Sequence, residues 1–83
     1  MMTRKEIEEK VNEFLINEFE IEKEKIYPDA LLKENIGIDS LDYVDLVVII
    51  DELFGFKITN PSEMAKVKTL SQLYDLIESK NTK

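Results

Sequence analysis

Ser40 is the residue of this 83-residue chain whose type and position could support covalent chemistry. It follows Asp39, a good N-cap, and therefore stands at the first position of a predicted helix with no obvious capping task of its own. A serine nucleophile needs a neighbouring base, and the chain contains no His. We therefore expect Ser40 to accept a covalent group, and we predict that the protein is not an enzyme.

The surroundings of Ser40 suit an anionic group that is tethered and otherwise free. A phosphodiester there would lie near the first N–H groups of the helix, where the dipole favours an anion by about 0.3–1 kcal/mol. The carboxylates of Asp39 and Asp42 oppose it by a similar amount. Because the two effects offset each other, the site would tolerate the anion without gripping it.

The segment from residue 34 to residue 56 contains no Lys or Arg and six carboxylates, which is nearly all of the net charge of −7. Such a surface repels the phosphates of nucleic acid and attracts a basic protein surface. We therefore exclude nucleic acid as a partner. Cys and His are both absent, so disulfides and thiolate or imidazole metal sites are excluded. The carboxylates form no glycine-centred calcium loop, and we expect no metal.

Hydrophobic periodicity predicts an all-α fold, a four-helix bundle of three main helices and one short helix, with a long ordered loop after the first helix. The first helix begins with a capping box at Thr3, and the second spans residues 40–54 and ends at Gly55. Asn60-Pro61 signals the short helix, and Thr69 starts the last helix, whose end at residues 80–83 should fray. The loop, residues 20–38, is expected to pack across the core through its apolar side chains, namely Ile21, Ile26, Leu31, Leu32, Ile36 and Ile38.

The whole chain, residues 1–83, is predicted to be one domain. Its N-terminus has neither signal-peptide nor transit-peptide character. The longest apolar run, residues 46–50, is too short to cross a bilayer. We expect a soluble, cytoplasmic monomer with no membrane insertion.

The second helix is predicted to have two apolar faces, because successive residues turn by about 100°. One face should pack in the core through Tyr43, Leu46, Val47, Ile50, Leu53 and Phe54. The other carries a stripe of Leu41, Val44 and Val48, interleaved with the carboxylates of Asp45, Asp51 and Glu52. Scattered aliphatic residues on a surface are normal. Their coincidence with the acidic segment and with Ser40 favours a docking face for an apolar partner surface with a positive rim.

The segment Gly37-Ile38-Asp39-Ser40-Leu41-Asp42, followed by Val44-Asp45-Leu46 and Asp51-Glu52-Leu53-Phe54, resembles the acyl carrier protein signature. The resemblance covers nearly the whole chain, including the long loop and residues 67–70 before the last helix. It implies that Ser40 carries 4′-phosphopantetheine, which comes from coenzyme A and whose terminal thiol holds acyl groups as thioesters. A phosphopantetheinyl transferase would supply the base and the Mg²⁺ site for the attachment.

Partner enzymes of this family recognise the second helix. Carried over residue by residue, the resemblance implies a partner-binding face of Asp39, Leu41, Asp42, Val44, Asp45, Val48, Asp51 and Glu52. The implied partners are acyl-processing synthases and transferases with basic docking surfaces, which act in fatty-acid-type or related polyketide-type synthesis.

Two alternatives stay open. Carriers of aminoacyl or aryl groups more often have Gly-Gly before the Asp/His-Ser pair, and Gly37-Ile38-Asp39 argues against that class. An unmodified acidic helical adaptor could use the same stripe of Leu41, Val44 and Val48 to bind a basic partner. The adaptor would keep its function in a Ser40→Ala variant.

Overall fold

Four α-helices follow one another in the computed structural model, which describes residues 3–55 and 61–80. They are α1 (Arg4–Glu18), α2 (Ser40–Phe54), α3 (Pro61–Met64) and α4 (Leu70–Lys80). Across these described residues there is no β-strand, and one isolated antiparallel bridge joins Leu31 to Thr69. The predicted all-α architecture of three main helices, one short helix and a long connection after α1 is confirmed.

The predicted capping box at the start of α1 is present. The Thr3 hydroxyl accepts a hydrogen bond from the N–H of Glu6 at 3.2 Å, and the Glu6 carboxylate accepts one from the N–H of Thr3 at 2.8 Å. These bonds to the charged form lower the pKa of the Glu6 carboxyl. The helix then buries one apolar stripe, formed by Ile7, Val11, Phe14 and Leu15, while Phe19 is partly buried at the C-cap.

The connection between α1 and α2 is more helical than we predicted. It contains a 3₁₀ turn at Lys23–Lys25 and a π-helical turn at Leu32–Ile36. The second turn begins where the side chain of Asn35 accepts a hydrogen bond from the N–H of Leu31 at 2.8 Å. It ends at Gly37, whose φ of 91° is the left-handed conformation that glycine adopts at low cost.

The apolar residues of this connection hold it to the core, with one exception. Leu32, Ile36 and Ile38 are buried, and Ile21 and Ile26 are partly buried against the core. The prediction for Leu31 is wrong, since its side chain is 38% exposed. The chain is extended there and pairs with the segment before α4, through Leu32 N–H to Lys68 O at 2.9 Å and Leu70 N–H to Ala30 O at 3.0 Å. Neighbouring side chains of an extended segment point to opposite sides, so Leu31 faces water when Ala30 and Leu32 are buried.

The last helix starts as its sequence predicts. Gln72 Oε1 accepts hydrogen bonds from the N–H groups of Lys68 and Thr69, and Thr69 Oγ1 accepts one from the N–H of Gln72. Four residues of α4 are buried, and they are the four that the periodicity predicts, Leu70, Leu73, Tyr74 and Ile77.

One arginine ties the start of α1 to α4. The Arg4 guanidinium forms ion pairs with Asp75 at 2.7 Å and with Glu78 at 2.8 Å, and a third with Glu8 of its own helix at 3.0 Å. It also lies 5.5 Å from the centroid of the Tyr74 ring, within cation–π distance.

The core-facing side of α2 is as predicted, except at one residue. Leu46, Ile50 and Phe54 are buried, and Tyr43 and Val47 are partly buried against the core. Leu53 is 37% exposed, which contradicts its predicted burial, because it lies at the edge of the core-facing arc and lines a surface groove against α1.

Two further helix ends meet the predictions, and one does not. Gly55 closes α2 with φ 71°, and Pro61 is the first residue of α3. Lys80, which was expected to fray, is instead the last residue of α4. The predicted cap at Asn60 and the predicted fraying of residues 81–83 lie outside the described residues. In the described part of the chain no helix is long and apolar enough to cross a bilayer.

Candidate functional site

The start of α2 is held by a reciprocal cap between two carboxylates. Asp39 Oδ1 accepts hydrogen bonds from the N–H groups of Leu41 at 2.9 Å and of Asp42 at 3.3 Å. Asp42 Oδ2 accepts one in return from the N–H of Asp39 at 3.3 Å. The predicted N-cap at Asp39 is therefore present, and the cap needs nothing from the Ser40 hydroxyl.

Ser40 is the first residue of α2, as predicted. The structure describes its backbone, and its side chain lies outside the described residues. The chain just before it is anchored, since Ile38 is 1% exposed and its N–H donates to the carbonyl of Leu32 at 2.8 Å. Ser40 thus starts from a fixed backbone position, between the buried Ile38 and the capped first turn of α2.

The predicted apolar stripe on the outer face of α2 is exposed. Leu41 is 82% exposed, Val44 56% and Val48 52%. Three aliphatic side chains on consecutive turns of one helix therefore remain in water, and they begin at the residue after Ser40.

Carboxylates flank this stripe, and most of them form no ion pair within the described residues. Asp45 and Glu52 are exposed. No ion pair within residues 3–55 and 61–80 joins Asp39, Asp42, Asp45 or Glu52 to a basic side chain. Asp51 is half-buried beside them. The structure thus brings all eight predicted partner-binding residues onto one helix and its cap. Within the described residues, the carboxylates of Asp39, Asp42, Asp45 and Glu52 keep their negative charge free of ion pairs.

Tyr43 supports the first turn of α2 from the core side. The sequence places Tyr43 on the core face but does not indicate the contact that it makes there. Its hydroxyl donates to the carbonyl of Val67 at 3.5 Å, which links α2 to the segment before α4. Burial, together with the charges of Glu34 and Asp39, raises the pKa of the Tyr43 phenol. The contact spans 24 residues of sequence, so no local pattern indicates it.

Comparison with known proteins gives one answer. The family model for the phosphopantetheine attachment site matches residues 9–77. The acyl carrier protein of Buchnera aphidicola subsp. Acyrthosiphon pisum (strain 5A) is 35% identical over 79 residues, which cover 95% of this chain and 98% of that protein. The acyl carrier protein of Thermosynechococcus vestitus is also 35% identical over 79 residues, which cover 95% of this chain and 96% of that protein. The chain therefore belongs to the acyl carrier protein family, whose cofactor is phosphopantetheine.

Proposed function

We propose that this protein carries acyl groups as thioesters on a 4′-phosphopantetheine arm joined to Ser40, and presents them to enzymes of fatty-acid-type or related polyketide-type synthesis. One observation carries the proposal: Ser40 opens α2 directly after a cap that Asp39 already provides, at the end of an exposed apolar stripe. When bound, the arm supplies a thiol, a group that the chain itself lacks because it contains no Cys.

The residues at the start of α2 fit a covalently attached arm. The Asp39 carboxylate accepts hydrogen bonds from the N–H groups of Leu41 and Asp42. These donors are therefore not available to bind a phosphate. No basic side chain pairs with Asp39 or Asp42 in the part of the chain that the structure describes. The buried Ile38 fixes the base of the attachment. The protein would therefore hold the arm at one covalent point and leave the rest mobile.

The chain has no His to act as the base, so we assign the base to the transferase, together with the Mg²⁺ site that the family resemblance implies. The Ser40 oxygen attacks the phosphorus that bears the pantetheine part of coenzyme A and forms a new P–O bond. The pyrophosphate bond of coenzyme A breaks and releases 3′,5′-ADP, and the Ser40 proton passes to the transferase base. A capped first turn keeps the Ser40 backbone in place for this reaction.

Partner enzymes would dock on α2. The stripe of Leu41, Val44 and Val48 supplies apolar area that a partner can desolvate. The carboxylates around it supply charge that speeds the encounter with a basic surface and sets the orientation. The residues that we assign to this face are Asp39, Leu41, Asp42, Val44, Asp45, Val48, Asp51 and Glu52.

The decisive experiment is intact-mass measurement after incubation with coenzyme A, Mg²⁺ and a phosphopantetheinyl transferase. The wild-type protein should gain the mass of one phosphopantetheine group, and Ser40→Ala should gain none. Ser71→Ala is the matched control, because Ser71 also lies in the first turn of a helix and should leave the mass gain intact. An unmodified wild-type protein, or a modified Ser40→Ala, would overturn the assignment.

The same experiment separates the adaptor alternative. An unmodified adaptor would use the exposed stripe, stay at its unmodified mass, and keep its partner binding in Ser40→Ala. The kind of group carried is tested next. The protein that bears the phosphopantetheine arm is incubated with acyl-transferring enzymes and, separately, with amino-acid-activating enzymes. Acylation by the former alone supports the fatty-acid-type or polyketide-type assignment.

A further inference from the structure

A groove of about 420 Å³ lies between α1 and α2, and its lining includes none of the stripe residues Leu41, Val44 and Val48. Its floor is apolar and consists of Phe14 from α1 with Ile49 and Leu53 from α2. Ile49 is partly buried and Leu53 is 37% exposed, so the groove keeps apolar surface in contact with water. Its volume lies in the range of about 300–1,000 Å³ in which binding pockets usually fall.

The rim of the groove is negatively charged. Three carboxylates line it, those of Glu13 and Glu18 from α1 and of Glu52 from α2, against the single ammonium group of Lys10 and the neutral amide of Asn17. In the described ranges 3–55 and 61–80, none of the three carboxylates forms an ion pair. An apolar floor under an unneutralised acidic rim matches a ligand that is both apolar and cationic.

The groove adjoins the stripe around the circumference of α2. Ile49 is turned by about 100° from its neighbour Val48, and Glu52 lies one turn beyond Val48 on the intervening side. Asp45 lies on that same side, one turn before Ile49. Asp45 and Glu52 therefore form a ridge of carboxylates between two apolar surfaces, and a partner that covers the stripe can extend across this ridge into the groove.

We infer that the groove is a second docking surface, which receives a basic amphipathic helix of a partner protein. The apolar side of that helix would cover Phe14, Ile49 and Leu53, and its Lys or Arg side chains would pair with Glu13 and Glu18. The carrier's own acyl chain is a poorer match, because hydrocarbon placed there would desolvate these carboxylates without pairing them. The inference does not depend on modification of Ser40.

The test uses the whole chain, ¹⁵N-labelled, and a synthetic Leu/Lys helix of about 18 residues, beyond the length at which isolated helices are marginal. The amide resonances of residues 13–18 and 49–53 should shift on titration. Glu13→Lys combined with Glu18→Lys should raise the Kd at least about tenfold. Glu9→Lys combined with Glu24→Lys changes the net charge equally at exposed sites outside the groove, and should change the Kd much less.

Two further binding measurements test the role of the apolar floor and of the apolar side of the peptide. Leu53→Gln removes apolar area without changing the charge and should also weaken binding. A peptide of the same composition, scrambled to remove its apolar face, should bind weakly. The inference is overturned if the shifts concentrate at Leu41, Val44 and Val48, or if the two charge-reversed proteins lose affinity equally. It is also overturned if residues 13–18 and 49–53 shift when an acyl chain is loaded and not when the peptide is added.

Discussion

Asp39 and Asp42 exchange hydrogen bonds across the first turn of α2, each carboxylate accepting the backbone N–H of the other residue at 3.3 Å. These are the two carboxylates that electrostatically oppose an anion at Ser40. They are also the groups that fix the backbone of the turn in which Ser40 lies. The two carboxylates that hold the backbone of Ser40 in place are therefore the same two that would repel a phosphate attached to Ser40.

The first prediction concerns this cap. Asp39→Ala should lower the free energy of unfolding by about 1 kcal/mol, because two N–H groups of α2 lose their acceptor. It should also slow transfer of the arm to Ser40. Asp39→Asn keeps a capping oxygen and removes the charge, so its stability should stay close to that of the wild type. Urea denaturation and initial transfer rates measure both effects, and equal stabilities of the two variants would contradict the capping role.

The second prediction concerns the exposed stripe. The double variant Leu41→Ala with Val48→Ala should raise the KM of the transferase for this protein by about tenfold with little change in kcat, because docking area is lost without change at the reacting hydroxyl. Ile16→Ala is the control, since Ile16 is an exposed aliphatic residue on α1. Steady-state kinetics of the transfer reaction test this prediction. If the double variant and the Ile16→Ala control have similar KM values, the result counts against docking on the stripe.

The third prediction concerns Arg4, which forms ion pairs with Glu8, Asp75 and Glu78 and contacts the Tyr74 ring. Each pair is partly exposed and weak by itself, so Arg4→Ala should lower the free energy of unfolding by about 1–2 kcal/mol in total. Arg4→Lys should recover only part of this, because an ammonium cannot form the forked contacts of a guanidinium.

The salt dependence of these unfolding measurements provides the check on Arg4. The loss should shrink at high ionic strength, where exposed charges are screened. Lys5→Ala removes a neighbouring exposed charge and should have little effect at either salt concentration. If the loss of unfolding free energy in Arg4→Ala does not depend on salt, the effect of Arg4 comes from packing and not from its charge.

The fourth prediction is a loss of stability at high pH. Burial, helped by the charge of Glu8, raises the pKa of Tyr74 from 10.0 to about 12, against the smaller opposing effects of its hydrogen bond to Asn12 and of Arg4. Between these two values the unfolded chain has lost the phenol proton and the folded chain keeps it. The contribution of Tyr74 is therefore complete below pH 10 and disappears as the pH rises towards 12.

Urea denaturation at a series of pH values tests this. The decline of the free energy of unfolding above pH 10 should be shallower in Tyr74→Phe, which has no phenol to titrate. Tyr27→Phe is the control, because the Tyr27 ring is exposed, and its decline should run parallel to that of the wild type. Parallel curves for all three proteins would refute the prediction.

Features decided by neighbouring residues were predictable from the sequence. The capping boxes at Thr3 and Asp39 and the left-handed end of α2 at Gly55 depend on residues within one turn of each other. The burial of four residues in α4 and the exposure of Leu41, Val44 and Val48 follow from helical periodicity. The same local order placed Ser40 at the start of its helix.

Features that join distant parts of the chain were not predictable in this way. Arg4 meets Asp75 and Glu78 across more than seventy residues of sequence, and no local pattern indicates that pairing. Leu31 was wrongly expected to be buried because its inward or outward direction depends on the bridge to Thr69. Leu53 was misplaced because only the position of α1 decides whether the edge of the α2 face is covered.

The amino-acid sequence by itself determined the main helices, their capped starts, the placing of Ser40 and the apolar stripe beside it, because these features depend on hydrogen bonds and periodicity within one or two turns of consecutive residues. Only the tertiary structure decided which edge residues stay in water, how the connection between α1 and α2 folds into two helical turns, and where α1 and α2 leave the groove of Phe14, Ile49 and Leu53. Those outcomes depend on the packing of segments far apart in the chain, whose relative positions no local pattern specifies.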